Sequence, residues 1–245
     1  YSEQVWNSTD FKLEAQNTKN TLSLLKKEQV KVKPGQYRTY LAPMAVSEIT
    51  FLFNWRAVSR SAYEQGFTPL KKLYTREQLF NPQFSLTENN TLGLNSHFNS
   101  QGEICPSQIE IIKDGEMKNF LISSTTAKEY KLTSNFADSG PQNNESLRSF
   151  EVRAGTLVES DILKKLGTGL YLTNLHYINW SDPQTARLTG MTRFACFWVE
   201  NGEIVGPIQD LRFDDSLYSL FGTELEGLTH HRSTFINTST YQKRG

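Results

Sequence analysis

RFACFWVENGEIVGPI, residues 193–208, reads as two β-rich arms around Asn201-Gly202. Asn-Gly favours a type I′ turn, because both central residues take positive φ there and few residues do so at low cost. QIEIIKDGEMKNFLIS, residues 108–123, repeats the device around Asp114-Gly115. Two such turns predict two antiparallel hairpins and a sheet-dominated fold.

Working outward, GLYLTNLHYINW (169–180), SFEVRAG (149–155) and IQDLRFDD (208–215) read as further strands. Tyr37, Thr39 and Leu41 alternate as in a strand after the Pro34-Gly35 turn. SDILKKLG (160–167) reads as a short helix stopped by Gly167, and SLYSLFG (216–222) as one ended by Gly222. Residues 12–28 predict an amphipathic helix with Leu13, Leu22 and Leu25 near one face. Residues 81–101, rich in Asn, read as short extended pieces and loops, and 133–146 as a loop. PMAVSEITFLFNWR (43–56) is ambiguous. Pro43 suits the first turn of a helix, but Ile49, Phe51, Phe53 and Trp55 also alternate at strand period. The expected fold is α+β: predominantly antiparallel β-sheet or a partly closed barrel, with a few peripheral helices. One domain is expected over 1–245.

Composition narrows the function. The chain has 245 residues, 37% of them hydrophobic, which suffices for a sizeable core. Lys plus Arg is 26 and Asp plus Glu is 26, so no basic excess points to nucleic acid. No apolar run approaches the roughly 20 residues of a membrane span. Cys105 and Cys196 do not make a disulfide framework, and a reduced, cytoplasmic setting fits them. Because the first residue is Tyr1, the chain is expected to be a piece of a longer protein.

No catalytic set emerges. His97, His176, His230 and His231 lack metal-ligand spacing, and the adjacent His230-His231 would diverge on a regular element. His176 is expected on a strand with its ring hydrogen-bonded. Cys196, inside FACFWV, reads as a buried inert thiol and Cys105 as a more exposed one. Asp214-Asp215 reads more simply as a helix N-cap region than as paired carboxylates.

The order of motifs carries a resemblance. KPGQYRTYLAP, GFTPLKKLYTREQLFNPQFSLTEN, IEIIKDGEMKNFLISSTTAKEYKLTSN and the long run from GTGLYLTNLHYINW through ENGEIVGP to SLYSLFG resemble the TldD/PmbA family. The resemblance runs from about Thr21 to Gly222. It implies a C-terminal, mostly β domain whose family also carries an N-terminal α/β domain that this chain does not resemble. The family has a zinc metallopeptidase branch, TldD, with HExxxH on a helix and a late cysteine ligand. Its PmbA/TldE branch lacks these ligands and serves as partner subunit. Aligned through Leu-x-Pro, Phe51, Leu52 and Arg56 fall where the first His, the Glu and the second His would lie, and residues 43–60 hold no His. Phe and Leu offer zinc no lone pair, and Arg is a permanent cation. The resemblance therefore implies the PmbA/TldE branch. It implies a degenerate active-site helix, no cofactor in this chain, and zinc in a TldD-like metallopeptidase partner. A peptide is the implied substrate and a second copy of this chain another conceivable partner. A stand-alone adaptor module and a cysteine-dependent hydrolase using Cys105 are the rival readings.

Overall fold

The structure is a computed structural model describing residues 7–139 and 145–236. Helix α1 (Ser8–Leu24) leads through an extended segment to strand β1 (Thr39–Leu41) and helix α2 (Pro43–Phe51). Two short helices follow, α3 (Arg60–Glu64) and α4 (Lys71–Tyr74). Strands β2 (Leu86–Asn89), β3 (Gln108–Lys113) and β4 (Glu116–Met117) precede helix α5 (Ser124–Tyr130). Strand β5 (Phe150–Val152), helix α6 (Ile162–Leu166) and strands β6 (Gly169–Leu172) and β7 (Asn174–Asp182) come next. Strands β8 (Arg187–Arg193), β9 (Phe197–Glu200), β10 (Glu203–Pro207) and β11 (Arg212–Ser216) close the order.

The strands form three sheets, β1-β6-β9-β10, β11-β8-β7 and β4-β3-β2-β5. No barrel closes among the described residues, so the α+β expectation holds in its open-sheet form. Pairing is antiparallel except for β1 on β6, which run parallel with Thr39 opposite Leu170. Both expected hairpins are present. Asn201 and Gly202 have φ of 51° and 81°, and Asp114 and Gly115 have 51° and 78°, the left-handed pairs of type I′ turns.

Other expectations shift. The segment 169–180 is not one strand: it breaks at Thr173, β6 joining one sheet and β7 another. Asp214 and Asp215 do not cap the helical turn that follows them. They lie within β11, opposite Thr189 and Leu188, and the Ser216 hydroxyl instead receives the N–H of Ser219. Gly222 does not end the following turn, which is a π-helix over Ser219–Thr223 with Gly222 buried in it. Helix α1 forms, but Leu13 and Leu22 on it, and Leu25 just past its end, are exposed. What ties that region down is its C-terminal end, where Lys27 Nζ donates to the Ile204 carbonyl at 2.7 Å.

The ambiguity at 43–56 resolves as helix. Ala42 is the extended N-cap and Pro43 the first helical residue. Leu52–Asn54 continue as a 3-10 turn, and Arg56, at φ 73°, ends the run in the left-handed position usually given to Gly. Ala45, Ile49, Leu52 and Phe53 face the core, where α2 lies against β7. The 81–101 segment contributes β2, a central strand of its sheet, with Leu86, Glu88, Asn89 and Asn90 buried.

The hairpin turns differ in what surrounds them. A Cβ at Gly202 would meet nothing nearer than 3.5 Å, whereas one at Gly115 would lie 2.3 Å from the Phe80 carbonyl oxygen. Gly202→Ala should therefore cost only the left-handed penalty of ~1–2 kcal/mol. Gly115→Ala should cost distinctly more, because backbone must also move. Urea denaturation of both variants checks the order; equal losses would contradict the close approach at Phe80.

Candidate functional site

The four histidines are dispersed. His176 sits on β7 with its ring edge-on to Tyr177, centroids 4.5 Å apart, an aromatic contact in place of the expected hydrogen bond. His230 and His231 lie on the segment beside Leu157, where His231 N–H donates to Glu159 Oε1 at 2.9 Å. Among the described residues no three His, Cys, Asp or Glu side chains gather as a metal site. Zinc needs such a set of lone-pair donors, so the residues present there do not fit the ion. Asp214 is paired with Arg212, whose hydrogen bond holds its carboxyl below the usual carboxylate range. Asp215 instead takes the N–H of Ser216 at 2.7 Å.

The cysteines are equally quiet. Cys196 is buried, its Sγ 3.3 Å from the Arg193 carbonyl. Cys105 is half-buried and donates to the Phe136 carbonyl at 3.4 Å. Burial pushes its thiol up, although the Arg148 guanidinium pulls the other way. The neighbouring cavity, lined by Glu88, Cys105, Asp138 and Arg148 among others, is only about 10 Å³, room for one water and no substrate. Glu88 nearby is buried. Its carboxylate accepts N–H groups from Arg148 at 2.9 Å and Ser149 at 3.0 Å, yet burial still raises its pKa.

Phe51, Leu52 and Arg56 do not converge. Leu52 is 1% exposed and belongs to the core. The Arg56 guanidinium lies over the Phe67 ring, 5.3 Å from its centroid. Phe51 turns outward into a cleft of about 470 Å³ lined also by Glu48, Leu52, Trp55, Tyr177, Ile178 and Asn179. Glu48, Phe51 and Trp55 follow the i, i+3, i+7 spacing of one outward helix face, with Leu52 behind them in the core. The opposite wall is a bulge in β7: the register passes from His176↔Met191 to Asn179↔Thr189. Tyr177 in that bulge has φ 52° and Gly190 faces it across the ladder, where any Cβ would strike Ile178 and Phe213. Sequence reading missed Glu48, Trp55 and Tyr177 as wall residues. The helix spacing was there to read, but the pairing of that helix with the β7 bulge was not.

Comparison with known proteins gives one consistent grouping. The family model described as "PmbA/TldA metallopeptidase C-terminal domain" matches residues 34–241. A curated relative, Metalloprotease PmbA of Escherichia coli O157:H7, is 30% identical over 126 residues, 51% of this chain and 25% of that protein. Among solved structures, TldE from Thermococcus kodakarensis superposes with a TM-score of 0.72 at 16% identity, covering 87% of this chain and 49% of that one. A Thermotoga maritima protein described as a candidate modulator of a DNA gyrase gives 0.68 at 18% identity, covering 85% and 49%. The chain thus spans about half the length of these structures, and at such identities they show the fold.

Two measurements follow. With its thiol pushed up, Cys105 should alkylate with iodoacetamide at neutral pH no faster than free cysteine; faster reaction would revive a nucleophilic role. For Glu88, the raised folded value means the folded chain takes up a proton while the unfolded glutamate is still ionised. Stability from this group therefore increases as pH falls from neutrality toward the ordinary carboxylate range. In paired urea melts, wild type should gain on Glu88→Gln over that interval. A difference that shrinks on acidification would mean that the two backbone N–H bonds outweigh burial.

Proposed function

The chain belongs to the PmbA/TldA metallopeptidase family through its C-terminal domain, and from that premise we propose that it is a non-catalytic PmbA/TldE-like subunit. It pairs with a TldD-like zinc metallopeptidase that processes unfolded or leader peptides. The observation that carries this reading is the chemistry of the helix at 43–56. Its positions 51, 52 and 56 hold Phe, Leu and Arg, and none can ligate zinc. Leu52 is committed to the core and Arg56 to the Phe67 ring. The metal belongs to the partner in this reading, and this chain contributes shape.

What it can shape is a wall. Strand β7 is an edge strand, but its bulge at Tyr177 interrupts the row of backbone groups that an added peptide strand would pair with. Peptide contacts near the cleft then fall on side chains, and continuous β-addition is left to another edge. The hydrolase alternative is disfavoured by the Cys105 site, which has a raised thiol and no room for a substrate. An adaptor without a peptidase partner has no observation in its favour.

Reconstitution tests the proposal. Full-length protein mixed with a TldD-like subunit from the same cell should form a stable complex, and peptide cleavage should appear only in the mixture. A chelator should abolish it, as should replacement of the HExxxH histidines in the active subunit. Cys105→Ser and Cys196→Ser should leave turnover nearly intact. Cleavage by this protein alone at the mixture's rate, or no association, would overturn the reading.

A further inference from the structure

We propose that the cleft between α2 and the β7 bulge is a binding site for a cationic side chain, a lysine ammonium or an arginine guanidinium, carried on a peptide. The inference rests on the peptidase-partner reading only in taking a peptide as the carrier. Its first support is Glu48. The residue is half-buried on the cleft wall, and among the described residues its carboxylate has no hydrogen-bond or ion-pair partner. A half-buried carboxylate without a partner can accept charge-assisted hydrogen bonds from a cation placed against it.

The second support is the company it keeps. Phe51 and Trp55, each 41% exposed, stand on the same helix face, and Tyr177, 80% exposed, stands opposite. Three large exposed rings lining the same cleft as one carboxylate form the kind of π-rich surface that attracts ammonium and guanidinium groups. Both walls are built. The Trp55 carbonyl accepts Trp180 Nε1–H at 3.3 Å, which fixes the end of the helical wall. Tyr177 is held at φ 52°, a conformation a Tyr adopts at a cost, and such outliers concentrate where a side chain must be aimed. The floor is Leu52, fully packed beneath.

The lining also excludes other classes of ligand. Among the described residues no Lys or Arg lines the cleft, so an anion would meet Glu48 uncompensated. One carboxylate is too few donors for a metal ion. An uncharged apolar group would cover the rings but desolvate Glu48 further without pairing it. At about 470 Å³ the cleft admits a whole lysine or arginine side chain with adjoining backbone.

The test uses the full chain without any metallopeptidase subunit, so it can succeed where association fails and fail where association holds. Acetyl-Gly-Lys-Gly-amide is titrated at low salt against the Trp55 indole N–H resonance, assigned by its loss in Trp55→Phe. The arginine and norleucine counterparts are titrated in parallel. Saturable shifts are expected with lysine or arginine, and none with norleucine. Glu48→Gln should weaken binding roughly tenfold and Tyr177→Ala should weaken it as well. Glu200→Gln, which removes a carboxylate on the β9 hairpin, should change nothing. Three results would each overturn the proposal: equal shifts with norleucine, an equal loss in Glu200→Gln, or no saturation with either cation.

Discussion

The three sheets have separate hydrogen-bond ladders and share one apolar core, and where β2, β11 and α2 meet in it the packing of phenylalanine rings dominates. Phe53 follows α2, Phe84 precedes β2, and Phe221 follows β11. Phe84 stacks on Phe221 with centroids 4.4 Å apart, and Phe53 lies 6.4 Å from Phe84 and 6.1 Å from Phe221. Phe80 adds an edge-on contact to Phe84 at 5.6 Å. Such pairs contribute about 0.5–1.5 kcal/mol each beyond the apolar area they bury. The consequence reaches the cleft. Phe53 is fully buried, so it fixes the rotation of the helical segment that carries it. With Phe53 and Leu52 turned inward, Phe51 and Trp55 can only turn out.

Around that apolar centre runs a polar lock contributed by one segment, residues 145–149. The buried Glu145 carboxylate accepts from Ser123 Oγ at 3.0 Å, Ser123 N at 3.1 Å and Ser61 N at 3.3 Å, with Ser59 Oγ as a further close donor. Ser59 and Ser123 are the N-caps of α3 and α5. The anion therefore rests against the positive ends of both helices, where backbone dipoles favour negative charge. A buried carboxylate without such donors would be strongly unfavourable. Two residues on, Leu147 N–H donates to Asn54 Oδ1 at 2.6 Å, which ties the same segment to the turn after α2. Then Arg148 and Ser149 give their N–H groups to Glu88 on β2. One short run thus joins two helix starts, the α2 terminus and a central strand.

These two devices explain what the sequence disclosed and what it hid. The hairpins at Asn201-Gly202 and Asp114-Gly115 were legible because a type I′ turn is settled by two adjacent residues. The helix at SDILKKLG was legible for the same local reason, with Gly167 at φ 66° as its stop. The break at Thr173 was not, since whether a strand continues depends on which sheet receives it. Nor was the placement of Asp214 and Asp215, because a strand partner at Thr189 and Leu188 overrode a good capping sequence. Asn-rich 81–101 read as short extended pieces and loops, and β2 is one such piece; its central place was not legible, because it depends on distant Arg148 and Ser149 satisfying Glu88. Family resemblance pointed to Phe51, Leu52 and Arg56. The partner of Phe51 in the cleft, Tyr177, sits at a left-handed φ that no local pattern announces.

The helix at 43–56 ends up with two faces under different constraints. Ala45, Ile49, Leu52 and Phe53 belong to the core, whereas Glu48, Phe51 and Trp55 meet solvent. The HExxxH pattern that the resemblance sets against 51, 52 and 56 could not simply be written back onto this backbone. A glutamate at 52 would carry its carboxylate to a position 1% exposed and set among apolar neighbours, at a cost of several kcal/mol for an unpaired buried ion. A histidine at 56 would inherit a left-handed φ of 73° and a direction toward Phe67, away from position 51. The absence of zinc ligands at 51, 52 and 56 and the packing of Leu52 and Arg56 are therefore tied to the same turn. What remains open to ligands on this helix is its outer face, and the residues there, one carboxylate and two aromatic rings, suit a cationic group and offer too few donors for a metal.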